Sequence, residues 1–175
     1  ELGQTTPYAY DVVDRVITET DPLGGLRQYQ YDAVGNRLSL TDELDRTTTF
    51  TVDGMNRILT MRDPAGAVTR YVYDLAGRRT SVTDPLNQVT RYEYDARGLL
   101  VKRTDPLSES ATFAYDAVGN QVETVDRNGQ ARRFTYDAMN RVTEEKWLTA
   151  GATVRTIAFG YDAAGNLLSA QDPDS

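Results

Sequence analysis

Carboxylates and tyrosines are the chemical equipment of this chain: 26 Asp and Glu and 11 Tyr stand beside 19 Lys and Arg, and neither His nor Cys occurs. Without Cys there is no disulfide framework, thiolate nucleophile or zinc–thiolate site. Without His the usual general base at neutral pH, the Ser-His and Cys-His pairs and the commonest transition-metal ligand are also lost. Three chemistries remain open to these residues. They are an acid/base pair of carboxylates, an oxygen-donor site for a cation such as calcium, and a stacking surface made of Tyr rings. A net charge of -7 and a pI near 4.6 oppose the basic footprint of a nucleic-acid binder.

The spacing of the carboxylates discriminates among these chemistries. Tyr-Asp recurs at Tyr10-Asp11, Tyr31-Asp32, Tyr73-Asp74, Tyr94-Asp95, Tyr115-Asp116, Tyr136-Asp137 and Tyr161-Asp162, with Val52-Asp53 in the one gap. The interval is 21 residues except for the last, which is 25. A catalytic pair would be duplicated eightfold without purpose, and the glycine-dense nine-residue rhythm of calcium β-rolls is missing. Four residues after the Tyr column stand Asp14, Gly35, Asn56, Gly77, Gly98, Gly119, Asn140 and Gly165, the three residue types that tolerate a left-handed backbone. Asp32, Asp53, Asp74, Asp95, Asp116, Asp137 and Asp162 are therefore expected to be turn corners whose carboxylates accept backbone N–H groups. A cation site is the alternative role for them. No enzyme activity and no cofactor are expected.

The aromatics tell which elements hold these turns. Tyr8, Tyr29, Phe50, Tyr71, Tyr92, Phe113, Phe134 and Phe159 lie two residues before the Tyr-Asp column, and the two columns together use every Tyr and Phe in the chain. Spacing of i, i+2 puts both on one face of an extended strand. Tyr29, Tyr31, Tyr71, Tyr73, Tyr92, Tyr94, Tyr115, Tyr136 and Tyr161 are expected to form aromatic ladders that supply the core, with a sugar- or base-stacking platform as the other reading. A second turn falls half a repeat later at Asp21-Pro22-Leu23-Gly24, Asp63-Pro64-Ala65-Gly66, Asp84-Pro85-Leu86-Asn87 and Asp105-Pro106-Leu107-Ser108. Each repeat thus holds two strands and two turns.

The predicted fold is all-β: residues 1–175 as a single array of about eight antiparallel hairpin repeats. About sixteen strands exceed the roughly ten that an open twisted sheet carries without curling, so a curved, spiralling sheet is expected. Its two terminal strands would leave open edges prone to edge-to-edge self-association. Arg70, Arg91 and Arg133, just before the aromatic column, are expected to pair across strands with carboxylates. A longer, irregular hairpin over 144–156 contains Trp147, the only Trp, which makes its loop a candidate contact site for a carbohydrate or cell-surface ligand. No run of apolar residues approaches the roughly 18 of a membrane span, so the chain is expected to be soluble. Because it opens without Met and with the repeat already running at Tyr8, it reads as a fragment of a larger protein.

A Tyr-Asp-Ala-Xaa-Gly-Asn/Arg turn followed by a Thr-Asp-Pro-Xaa-Gly turn every 21 residues closely resembles the YD repeats of the RHS-repeat family. Tyr31-Asp32-Ala33-Val34-Gly35-Asn36-Arg37 and Tyr115-Asp116-Ala117-Val118-Gly119-Asn120 show it best, and the match runs from about Tyr8 to Pro173. The resemblance implies a secreted or surface-displayed protein whose repeats coil into a hollow β-shell. In bacterial polymorphic toxins and insecticidal toxin complexes such a shell encloses a C-terminal toxic domain and is delivered by a secretion system; in the related teneurins a similar barrel serves adhesion. The expected partners are accordingly the rest of the shell and an enclosed cargo domain, with no nucleic acid. In shell-forming toxins a self-cleaving segment ends in a motif like Asp-Pro-Xaa-Gly-Leu. Asp21-Pro22-Leu23-Gly24 and Asp63-Pro64-Ala65-Gly66 look similar, but repeats continue beyond both, so the proteolytic role is not carried onto either Asp. The leading expectation is a structural wall segment; the alternative is an adhesion or glycan-binding module.

Overall fold

A computed structural model describes residues 5–172, so Pro173, the far end of the expected repeat match, lies outside the described residues. Among them every regular element is a β-strand, and the strands alternate between about five and six residues until the last hairpin. The chain forms two units, Glu1–Val89 and Thr90–Ser175. The first carries β1 (Tyr8–Tyr10), β2 (Val16–Thr20), β3 (Leu26–Tyr31), β4 (Arg37–Thr41), β5 (Thr47–Val52), β6 (Ile58–Arg62), β7 (Val68–Tyr73) and β8 (Arg79–Thr83). The second carries β9 (Val89–Tyr94), β10 (Leu100–Thr104), β11 (Ser110–Tyr115), β12 (Gln121–Val125), β13 (Ala131–Tyr136), β14 (Val142–Thr149), β15 (Ala152–Tyr161) and β16 (Leu167–Gln171). Within each unit every strand pairs antiparallel with its neighbour in the chain. The all-β hairpin meander with two strands per repeat is the architecture that the 21-residue period predicts.

Hairpin connections are the reason the period is so regular. In fourteen turns among the described residues, the Asp N–H donates to the carbonyl four residues on, and the residue three on donates back to the Asp carbonyl. That residue has positive φ, as at Asn56 (63°) and Gly119 (99°). This is a type I turn closed by one left-handed residue, a common three-residue hairpin loop. The Tyr-Asp turns and the Asp-Pro turns are one and the same structure. Asp42 with Asp45 (φ 58°) and Asp126 with Gly129 (φ 77°) build it without any Pro. These two turns escape a search for Asp-Pro, because Asp at the corner and the left-handed residue three on define the loop, whereas Pro at the second position only favours it. The exception is the β14–β15 turn, where Ala150 (φ 51°) and Gly151 (φ 82°) are both left-handed, as a two-residue hairpin loop requires.

The two hairpins of a repeat nevertheless differ in register. Across each Tyr-Asp turn the pairing slips by one residue beside the Tyr column, for example between Gln30 and Tyr31 or between Thr135 and Tyr136. The pairs β2–β3, β4–β5 and β6–β7 run without a slip. Such a bulge strengthens the local right-handed twist on one side of each repeat only.

The aromatic columns do not make an enclosed core. Among the described residues, Leu148 is the one buried apolar side chain, at 5% exposure, and no side chain is fully buried. Tyr29, Tyr31, Phe50, Tyr71 and Tyr73 in the first unit, like Tyr92, Tyr94, Tyr115, Tyr136 and Tyr161 in the second, are half-buried. The reason is geometric. Each ring packs along the sheet against its neighbours, but no second layer covers it. Phe50 stands opposite Met61 and Tyr71 opposite Val82 on the aromatic face, while the other face carries pairs such as Thr51–Thr60, whose hydroxyls hydrogen-bond at 2.7 Å.

Candidate functional site

The repeated turn carboxylate is the first candidate. Its geometry follows from the loop: folding the chain back at Asp aims the N–H groups of the residues two and four on at the Asp side chain. At Asp53, Oδ1 accepts from the N–H of Met55 (2.9 Å) and of Arg57 (3.0 Å), and Oδ2 accepts from Arg57 Nε (2.8 Å). Asp11, Asp42 and Asp137 repeat this with Arg15, Arg46 and Arg141; Asp32, Asp116 and Asp162 use Asn36, Asn120 and Asn166 in place of Arg. Asp74 is bridged by Arg78 at 2.7 Å, and Asp95 by Arg97 at 3.0 Å. Both carboxylate oxygens are engaged inside the loop. No cluster of three or more acidic side chains suited to a metal ion occurs among the described residues. The Asp-Pro corners obey the same rule, with Asp63 Oδ1 accepting the Ala67 N–H at 2.8 Å.

These donors hold the turn carboxyls below the usual carboxylate range. At Asp53 and Asp42 the leading cause is the hydrogen bond from the Arg side chain; at Asp11 and Asp137 it is the backbone N–H four residues on, and partial desolvation opposes without winning. Asp32, Asp74, Asp95, Asp116 and Asp162 are lowered in the same sense. Because the folded values lie below the unfolded ones, the stabilisation is complete above about pH 4 and is lost as pH falls through the folded values. Thermal unfolding followed by circular dichroism should give one melting temperature from pH 7 to pH 5 and a falling one below about pH 4. A profile flat down to pH 2 would exclude the turn carboxylates as linked groups.

The turns are also tied to one another. Arg15 Nη1 donates to the Asp32 carbonyl (2.7 Å) while its guanidinium lies over the Tyr31 ring at 4.8 Å. Arg57 does the same with Asp74 and Tyr73, and Arg141 with Asp162 and Tyr161. In the other direction, the hydroxyls of Tyr73, Tyr115, Tyr136 and Tyr161 donate to the carbonyls of Ile58, Leu100, Gln121 and Val142, each the first residue of a strand one repeat earlier. The Tyr column is therefore a repeat-to-repeat clamp with a polar end, a role that its half-burial permits.

Cross-strand pairing of the Arg residues differs from expectation. Arg133 does pair with Glu123. Arg70 stands opposite Thr60 and Thr83, and Arg91 opposite Thr104, since register puts Thr and not a carboxylate at those points of the ladder. The carboxylate partners lie mainly at the turns.

Trp147 is not at the loop tip. It sits inside β14 opposite Arg132 on β13 and Arg155 on β15, whose guanidinium carbons lie 4.2 Å and 5.1 Å from its ring centroid. Its indole N–H donates to Glu145 Oε1 at 2.7 Å, and Arg155 is held by Asp172 at 2.7 Å. The tip itself is Ala150-Gly151. Beside the tryptophan, Arg132, Leu148, Val154, Asp126 and Gln130 line a surface pocket of about 290 Å³ that opens beyond the shorter strands of the preceding hairpin.

With this geometry in view, comparison with known proteins is informative. Residues 2–175 match the family model of the Teneurin YD-shell. No curated protein sequence matches significantly. Among solved structures, a crystal structure of TcdB2-TccC3-TEV superposes with a TM-score of 0.64 at 15% identity, covering 96% of this chain and 11% of that one. A TcdB2-TccC3 structure without its hypervariable C-terminal region aligns at 0.63, and the Tc holotoxin pore of Photorhabdus luminescens at 0.64, both at 15% identity over 96% of this chain and 11% of theirs. At that identity the likeness concerns the fold, and the chain spans about a ninth of the length of these proteins. The tandem Asp turns, the Tyr clamp between repeats and the match over residues 2–175 together place this chain in the Teneurin YD-shell family, as a segment of its structural shell.

Proposed function

We propose that the chain is a wall segment that, with the rest of its shell, encloses a C-terminal toxin or other cargo domain of a secreted or surface-displayed bacterial protein. The observation that carries this reading is a sheet without an enclosed core, whose repeats are nonetheless joined by hydrogen bonds at every strand and turn. Such a sheet suits a partition better than a free-standing globule. Both units would then be stretches of one array, and the array a part of a larger protein. The turn set represented by Asp53 with Asn56 and Asp116 with Gly119, together with the Tyr clamp, would fix the pitch of the wall. Catalysis has no part in this function, which works by excluding proteases and holding the cargo. The use as a glycan-binding module is disfavoured by Trp147, because guanidinium groups from both neighbouring strands already lie over its ring.

Limited proteolysis of the full-length protein tests the proposal. The cargo domain is expected to be cut at least tenfold more slowly inside the full-length protein than when free, and disrupting the wall should remove that protection. Equal rates for the enclosed and the free domain would refute encapsulation.

A further inference from the structure

The junctions between consecutive Tyr-Asp turns follow a pairing rule. Where the residue after the left-handed position is Arg, as at Arg15, Arg57 and Arg141, the next turn carries Gly at its own left-handed position: Gly35, Gly77 and Gly165. The Arg reaches over that Gly to the Asp carbonyl, and a Cβ built on the three glycines would come within 4.0, 3.9 and 3.8 Å of the Arg Nη1. Where the residue is Asn, the next turn carries Asn. Asn36 Nδ2 donates to its own Asp32 Oδ2 (2.7 Å) and to Asn56 Oδ1 (2.8 Å); Asn120 donates to Asp116 Oδ2 (2.9 Å) and to Asn140 Oδ1 (2.9 Å). A shorter donor needs an acceptor side chain on the facing turn.

The two open edges carry the halves of one such junction. At the β16 edge, Asn166 Nδ2 donates to Asp162 Oδ2 (2.8 Å), as Asn36 and Asn120 do with theirs, and among the described residues its second N–H has no facing acceptor. At the β1 edge the left-handed residue is Asp14 (φ 61°), the one carboxylate in a column otherwise made of Gly and Asn. Its side-chain oxygen can accept where Asn56 and Asn140 accept. Leu167 heads β16 in the place where Ile58, Leu100, Gln121 and Val142 receive a Tyr hydroxyl, and Tyr10 is the matching donor on β1. Both edges are also under-covered: Tyr8 and Tyr10 are 49% and 55% exposed and Leu167 and Leu168 57% and 70%, whereas the internal tyrosines of the same columns are half-buried.

We propose that these edges are complementary, so that the β16 edge of one copy of this chain takes the β1 edge of a second copy, head to tail, with Asn166 donating to Asp14 and Tyr10 to the Leu167 carbonyl. More generally, the β16 edge selects a Tyr-Asp hairpin whose left-handed residue bears an acceptor side chain and rejects one that bears Gly. The pairing is independent of whether the shell encloses a cargo.

Sedimentation velocity of the 175-residue chain over a range of concentrations tests it. Wild type should form concentration-dependent linear oligomers. Asp14→Gly should weaken association about tenfold, the value of one hydrogen bond. Because glycine is at ease at positive φ, the variant should keep its strand circular dichroism. Asp14→Asn should associate like wild type, and Asp14→Gly combined with Asn166→Arg should recover association by recreating the Arg–Gly junction. A chain monomeric at every concentration, an Asp14→Gly variant that associates like wild type, or a double variant no better than Asp14→Gly would each overturn the proposal.

Discussion

Replacing Asp53 by Ala is expected to lower the melting temperature by about 5–10 °C, among the largest losses available from one side chain in this protein. Three donors converge on that carboxylate, two backbone N–H groups and the Arg57 guanidinium, and Ala satisfies none of them. Charge-assisted hydrogen bonds are roughly twice as strong as neutral ones, and unpaired donors add to the cost. The damage should extend beyond the turn. Arg57 also reaches the Asp74 carbonyl and lies over Tyr73, so releasing it from Asp53 frees one anchor of the next repeat as well. Hydrogen exchange should therefore show protection lost in β5, β6 and β7 first, as nearest-neighbour coupling in a repeat array requires. Asp53→Asn, which keeps an acceptor at Oδ1 but not the ion pair, should lose about half as much. If Ala and wild type melted together, the carboxylate would be an exposed charge without a structural role, and a ligand-binding role for the Asp column would have to be reopened.

Gly119→Val is expected to destabilise the second unit by about 2 kcal/mol or more, measured by urea unfolding. Gly119 has φ 99°, and a Cβ built there meets nothing within 4 Å, so steric clash contributes nothing and the whole effect is backbone strain. Valine, branched at Cβ, is among the residues least tolerant of that region. Gly119→Asn should cost under about 1 kcal/mol, because Asn tolerates the left-handed conformation. Indeed Asn56 and Asn140 occupy it at φ 63° and 59°. Equal losses for Val and Asn would mean that side-chain size, not backbone conformation, decides the position.

Much of this molecule was legible before any coordinates. A Tyr two residues after another aromatic, an Asp beside it and a Gly or Asn three residues further on describe a strand running into a type I turn, and these are local facts of backbone sterics. Repetition at 21 residues then dictates an antiparallel meander, and the left-handed residues at Gly35, Asn56, Gly77, Gly98, Gly119, Asn140 and Gly165 lie where that turn places them. Less visible were Asp42-Asp45 and Asp126-Gly129, because Pro attracted attention that belonged to Asp. The physical signal, an Asp followed three residues later by Gly, Asn or Asp, was present in both.

What the sequence alone determined is the period, the strand count per repeat and the chemistry of each turn, because these depend on residues within five positions of one another. The tertiary structure alone decided the rest. It decided that Arg70 and Arg91 face Thr, since one slipped residue in every Tyr-Asp hairpin resets which side chains meet across the ladder. It placed Trp147 between two arginines inside a strand, where the pattern suggested a loop. It also left the aromatic ladders half-buried, because whether a sheet face is covered depends on what else the chain lays against it, and within the described residues nothing forms a second layer. The carboxylates with which the reading began are thus neither catalysts nor metal ligands in this geometry. Their lone pairs are spent on the turns, since the fold points two backbone N–H groups and commonly an Arg or Asn at each Tyr-Asp carboxylate.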